Sequence, residues 1–148
     1  QLPLSPLRIN RPVYIPVTSG SRYYLVPREG AAEEALQVPL ENLLEQVLRS
    51  SRSMTFVPSD LRLINVRITA EQVQINLSEA FTSLFPEAAT ETERLQAALI
   101  LDAIFLTTFE NGRRQRAEIL IEGESWIPPE GYPPLNRFYR QPYFINPE

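Results

Sequence analysis

The sequence predicts an α+β fold: a mixed, largely antiparallel sheet of about five strands with helices packed on one face, in the order β-β-α-β-β-α-α-β. Two observations carry most of this. Short runs of alternating apolar and polar residues recur at 13–17, 22–27, 61–68, 73–77 and 116–123, which is the period of a half-buried strand. Apolar residues at helical spacing recur at 33–49 and 90–110. A third observation sets the pairing: the links TSGS and TAEQ between neighbouring strand runs are too short for crossovers and read as hairpin turns. At 148 residues the chain is long enough for one domain with a real core.

Residues 1–12 carry Pro3, Pro6 and Pro12 and read as an extended N-terminal segment. VYIPV and RYYLVP then form a hairpin, with Pro16 suited to an edge strand. The next helix presents Leu36, Leu40, Leu43, Leu44, Val47 and Leu48 as one stripe. Pro39 fits a first helical turn, so the firm helix is expected from there, after a looser turn over 33–38. LRLINVRI and VQINL make a second hairpin. Ser78 follows at the head of SEAFTSLF, a short helix that Pro86 stops. The longest helix spans 90–110, capped by Thr90 or Thr92, and is apolar nearly all round from Ala97 to Phe109. Such a helix needs cover on a second side, and the C-terminal tail or another subunit is the expected cover around Ile100, Ile104 and Thr108. RAEILIEG is the last expected strand. Residues 124–148 hold six of the 14 prolines and the single Trp, too proline-rich for a helix or central strand, and are expected to pack on the domain.

The side-chain inventory limits the chemistry. The chain has no His and no Cys, and all 14 of its basic residues are Arg. Arginine stays protonated and supplies no base at neutral pH. A Ser–His–Asp triad, a Ser–Lys dyad, Schiff-base chemistry and His or Cys zinc sites are therefore not available from this chain. No cofactor is expected. A net charge of −4 without a dense basic cluster argues against a nucleic-acid partner. Ser78 lacks a base, and serine at a strand-to-helix junction is expected to be a structural N-cap, with Glu79 favoured by the helix dipole.

Taken in order, VYIPV from Val13, YLVP from Tyr24, LENLLEQVL from Leu40, FVPSDLRL from Phe56, VQINLSEAF from Val73, ILDAIFLTTF from Ile100 and AEILIEG from Ala117 resemble the GerMN domain of spore-germination and sporulation-type envelope proteins. The resemblance covers about 13–123 and makes this stretch a GerMN-like domain. Two positions depart from the family pattern. SSRSMT follows the first helix where Gly-Pro is usual, and Asn76 stands where an aspartate usually precedes Leu-Ser. The resemblance implies an extracytoplasmic domain of the cell envelope, in a lipoprotein or a protein tethered to the membrane by a segment outside this chain. Its implied partners are envelope proteins or further copies of itself, with no catalytic residues to carry over and no necessary tie to spores.

Two alternatives use the residues differently. As a peptidoglycan or other cell-wall glycan binder, the tail would offer Trp126, Tyr132, Tyr139 and Tyr143 for stacking, with Arg137 and Arg140 for acidic groups. The competing expectation is that these residues finish the core. As a carboxylate hydrolase, Asp102 in the apolar helix would work with Glu118, Glu122 or Glu124, although no defined spacing pairs two acids. Asp102 is more simply expected to bond an arginine or the backbone. The isolated domain is expected to be a monomer.

Overall fold

The computed structural model describes residues 12–20, 22–29 and 40–139. The looser turn expected at 33–38 and most of the N-terminal segment lie outside this set. The first hairpin is β1 (Pro12–Ser19) and β2 (Arg22–Glu29), paired antiparallel across a turn at Gly20, whose φ of 63° suits a residue without a Cβ. Pro16 pairs with Leu25, and both are buried. The missing N–H costs the hairpin nothing, because among the described residues no third strand pairs with it.

Helix α1 (Leu40–Arg52) buries Leu40, Leu43, Leu44, Val47, Leu48 and Ser51. It therefore continues into the serines expected to end it. Ser51 sits inside because its hydroxyl donates to the Val47 carbonyl at 2.8 Å.

The second sheet has the order β3 (Leu63–Ile68), β4 (Val73–Leu77), β5 (Arg116–Ile121), β6 (Asn136–Phe138). β3 and β4 form the expected antiparallel hairpin, with a register shift between Leu63 and Asn65 that leaves Ile64 bulged. Its turn is held by the Thr69 hydroxyl, which accepts from the backbone N–H groups of Glu71 and Gln72. β4 and β5 run parallel, so the chain between them must cross over. It does so through a 3₁₀ helix (Glu79–Leu84), where a short α-helix was expected, and through α2 (Glu91–Gly112). β6 pairs antiparallel with the start of β5. This strand was not expected. It fits the proline-rich tail because Asn136, Arg137 and Phe138 lie between prolines and at a sheet edge.

The α+β class and largely antiparallel pairing agree with the sequence reading. In detail the strands divide into two sheets, of two and four strands. Helix α2 explains the division. Thr90 caps it with a full capping box, its hydroxyl accepting from Glu93 N and Glu93 Oε1 accepting from Thr90 N. From Ala97 to Phe109 every residue is buried except the half-buried Leu106. Gln96, Thr107 and Asn111 bond to the first hairpin. Phe105 and Phe109 meet Arg137 and Tyr139 of the tail. At its end, a Cβ on Gly112 would lie 3.1 Å from a Val73 methyl and 3.4 Å from a Leu40 methyl, so helix and strand meet where there is no side chain. The second cover for α2 is thus mainly the first hairpin and α1, not the tail alone or another subunit.

Candidate functional site

Ser78 occupies the N-cap position of the 3₁₀ helix in extended backbone conformation, but its hydroxyl makes no capping bond. It accepts from the Arg62 N–H at 2.9 Å and points its proton at the Asp60 carbonyl at 3.3 Å, while the Ser78 N–H donates to the Arg62 carbonyl. The cap expected from Ser78 comes instead from Glu122, whose carboxylate accepts from the Glu79 N–H at 3.0 Å. Ser78 is 3% exposed and joins the lead-in of β3 to the end of β4. Adjacent sequence cannot reveal a partner 16 residues away across a hairpin.

Asp102 is fully buried and ion-paired with Arg137, Oδ1 to a guanidinium nitrogen at 2.7 Å. Arg137 is itself buried and lies over the Phe105 ring at 4.7 Å. This pair fixes β6 to α2 from within. It also removes Arg137 from any exposed binding surface, so its expected role toward an acidic ligand does not hold.

The other tail residues divide between two places. Trp126 and Tyr132 both set their rings edge-on to Phe85, at 5.6 and 5.1 Å between centroids. The Tyr132 hydroxyl donates to the Pro86 carbonyl at 2.7 Å. Its pKa is raised, first by burial and then by the negative charge of Glu93, against an opposing effect of Arg94. Tyr139 meets Phe109 at 5.8 Å near the other end of β5, a strand about 16 Å long. Arg140 and Tyr143 lie outside the described residues. Trp126, Tyr132 and Tyr139 therefore form no single stacking platform.

The remaining candidate acids hold local structure. Glu118 accepts from the Ser125 hydroxyl at 2.9 Å. Glu122 and Gly123, with φ of 51° and 85°, form the tight turn that closes β5, and Glu124 bridges back to Ile121. The Asn76 side-chain oxygen accepts from the Gly123 N–H at 2.6 Å. This bond needs an acceptor and no charge, so asparagine serves it. Sequence reasoning missed Thr107, whose hydroxyl accepts from the Tyr14 N–H at 2.8 Å and so ties α2 to β1. The Tyr14 pKa is raised by burial and by the charge of Glu110.

The outward side chains of the four-stranded sheet include Asn65, Arg67, Gln74, Asn76, Glu118 and Leu120, and among the described residues no helix covers them. A groove of about 270 Å³ runs between Asn65, Gln74, Asn76 and Leu120. On the edge, β3 pairs with no second strand among the described residues. No cluster of three or more metal-ligating side chains and no helix long and apolar enough to cross a membrane occurs among them.

Comparison with curated proteins returns no match. Among solved structures, the chain is similar to the tandem GerMN domains of the sporulation protein GerM from Bacillus subtilis, with a TM-score of 0.53 and 14% sequence identity. The match covers 99% of this chain and 50% of that one, so this chain spans half of that relative. At that identity the likeness speaks for the fold. A family model matches residues 12–126, from the start of β1 to Trp126, and the protein therefore belongs to the Germane family, described as sporulation and spore germination.

Proposed function

We propose that this is a non-catalytic, extracytoplasmic GerMN-type domain that mediates protein–protein interaction or assembly at the bacterial cell envelope. The observation that carries the reading is the open edge of β3 beside an uncovered sheet face. An edge strand offers backbone N–H and C=O groups to a partner strand, and the flanking side chains supply selectivity. Ile64 and Ile68 on this strand are 39% and 48% exposed, which adds apolar contact to the edge. The absence of His, Lys and Cys favours binding over catalysis. So does the use of Asp102, Glu118 and Glu122 in structural bonds. The tandem arrangement of the similar structure supports a modular role.

Site-specific photo-crosslinking in cells of the source organism tests this. A crosslinking residue in place of Arg67 is expected to give protein adducts in the envelope fraction, and one in place of the exposed Glu91 is not. Equal labelling at both positions, or none at Arg67, would overturn the assignment to β3. Protease added to intact spheroplasts is expected to digest the full-length protein, and complete protection would overturn the extracytoplasmic placement.

A further inference from the structure

The stretch Ile64, Asn65, Val66, Arg67, Ile68 of β3 reads alike in both directions, apolar at its centre and ends and polar between. An antiparallel second copy would therefore meet the same pattern that it presents. The backbone is set for such a meeting. At the hairpin end the Thr69 N–H donates to the Gln72 carbonyl at 2.9 Å, so these two residues form a bonded pair. Bonded and non-bonded pairs alternate along an antiparallel ladder. Arg67 and Asn65, opposite Gln74 and Asn76, thus turn their backbone groups toward β4. Val66 and Ile68 turn theirs to the open side, where no strand among the described residues takes them. The side chains of Val66 and Ile68 share the face of their β4 partners Ile75 and Val73, which are buried. Ile68 is nonetheless 48% exposed and Ile64 39%, so the apolar layer ends uncovered at this margin. On the opposite face Asn65 and Arg67 are exposed, and neither side chain has a partner among the described residues.

We infer that β3 pairs antiparallel with β3 of a second copy, about a two-fold axis through the Val66 pair. This rests on the reading of β3 as an interaction edge and deepens it by naming the partner and the register. In this register the two Val66 residues exchange both backbone bonds. Ile68 of each copy comes opposite Ile64 of the other, which carries the apolar layer across the axis. Arg67 of each copy comes opposite Asn65 of the other, a donor facing a side-chain carbonyl. The neighbouring two-fold registers are poorer. Centring on Arg67 sets two like charges directly opposite each other. Centring on Ile68 brings Val66 against Ala70, which lies past the end of β3. The register shift between Leu63 and Asn65 confines the shared ladder to 64–68. So short a ladder is weak, which accounts for a free chain that stays monomeric and a confined one that pairs. The contact is isologous, so it closes at two copies and joins their four-stranded sheets into one.

The chain has no Cys, so single-cysteine variants crosslink only where the cysteine is placed. The test is diamide oxidation of the full chain, held by a terminal His tag at high density on phosphatidylcholine vesicles containing a nickel-chelating lipid. Residues opposed in a bonded antiparallel pair have Cα atoms about 5.5 Å apart, within reach of a disulfide. Diagonal neighbours lie about 7–8 Å apart, beyond that reach. Val66→Cys is therefore expected to form disulfide dimers about tenfold faster than Arg67→Cys, whose cysteines are diagonal in this register. A mixture of Asn65→Cys and Arg67→Cys chains should form the mixed dimer faster than either chain dimerises alone. Both of these positions are exposed, so this readout does not depend on the half-buried Val66. Asn65→Asp places a carboxylate opposite each Arg67 and should speed Val66→Cys dimerisation several-fold, which a purely structural Asn65 would not do. Arg67→Cys dimers forming as fast as Val66→Cys dimers would overturn the register. Mixed dimers of Val66→Cys with Asn136→Cys, formed as fast as Val66→Cys dimers, would show β3 meeting β6 head to tail and sink the two-fold contact. If neither Val66→Cys nor the Asn65→Cys and Arg67→Cys mixture crosslinks while a photo-crosslinking residue at Arg67 still captures another envelope protein, the interaction edge stands and the second copy as its partner falls.

Discussion

At the scale of single residues, the domain uses buried polar groups as fasteners between segments remote in sequence. The strongest is Asp102 with Arg137. Both charges have left water, so their attraction is offset by desolvation, and the pair serves position more than net stability. Removing one partner leaves the other charge buried. Asp102→Ala is therefore expected to cost about 3–5 kcal/mol, while Asp102→Leu combined with Arg137→Met costs much less. Urea unfolding of both variants checks this, and equal losses would mean that the pair itself supplies the stability. Ser78 makes a second fastener. Ser78→Ala removes the acceptor of the part-buried Arg62 N–H and is expected to cost about 1 kcal/mol. Amide exchange separates this role from a helix cap. The Arg62 amide should exchange faster in the variant, whereas the Glu79 amide keeps its Glu122 acceptor and should not change.

At the scale of elements, the hairpin β1–β2 is held to the rest of the domain chiefly through α2. Its backbone contributes few bonds to that contact, and the Tyr14 N–H to Thr107 hydroxyl is one of them. Thr107→Val keeps the shape and deletes the acceptor. It should cost about 1–3 kcal/mol and raise exchange in β1 before it raises exchange in β4 or β5. Uniform acceleration through both sheets would show instead that the hairpin and the four-stranded sheet open as one unit. The sequence made most elements legible because each strand and helix carries a local period. Leu40, Leu43, Leu44, Val47 and Leu48 announce α1, and Val73, Ile75 and Leu77 announce β4. What stayed hidden depends on partners far along the chain. Nothing near Thr107 marks it as an acceptor for Tyr14, and nothing in the proline-rich tail marks three residues as a strand. The site was less legible than the fold for the same reason. Asp102 and Arg137 are 35 positions apart and meet only once the tail returns to α2. Trp126 and Tyr139 looked alike as exposed stacking residues and turned out to pack at opposite ends of β5.

At the scale of the whole molecule, the question is what the open sheet does to association. Helices cover one side of the four-stranded sheet, and the other side is polar, with Asn65, Arg67, Gln74 and Asn76 on the half nearest the free edge. Phe138 near the opposite edge is apolar and 55% exposed, but Arg116 lies over its ring at 5.7 Å. The bulge at Ile64 breaks the regular ladder of β3, and Arg67 places a charge beside it. Bulges and edge charges are devices that discourage uncontrolled strand pairing. A stable self-association also needs a dry, apolar centre of several hundred Å² per partner, and this face offers only scattered apolar groups. The isolated 148-residue chain is therefore expected to be a monomer at micromolar concentration by light scattering after size exclusion. Confinement on a surface raises the effective concentration without adding a contact. The same chain bound through a terminal tag to lipid vesicles should thus self-crosslink through β3 at densities where the free chain does not. A closed oligomer of the free chain would show that the edge pairs without confinement, and would move the burden of assembly from the tether to the domain itself.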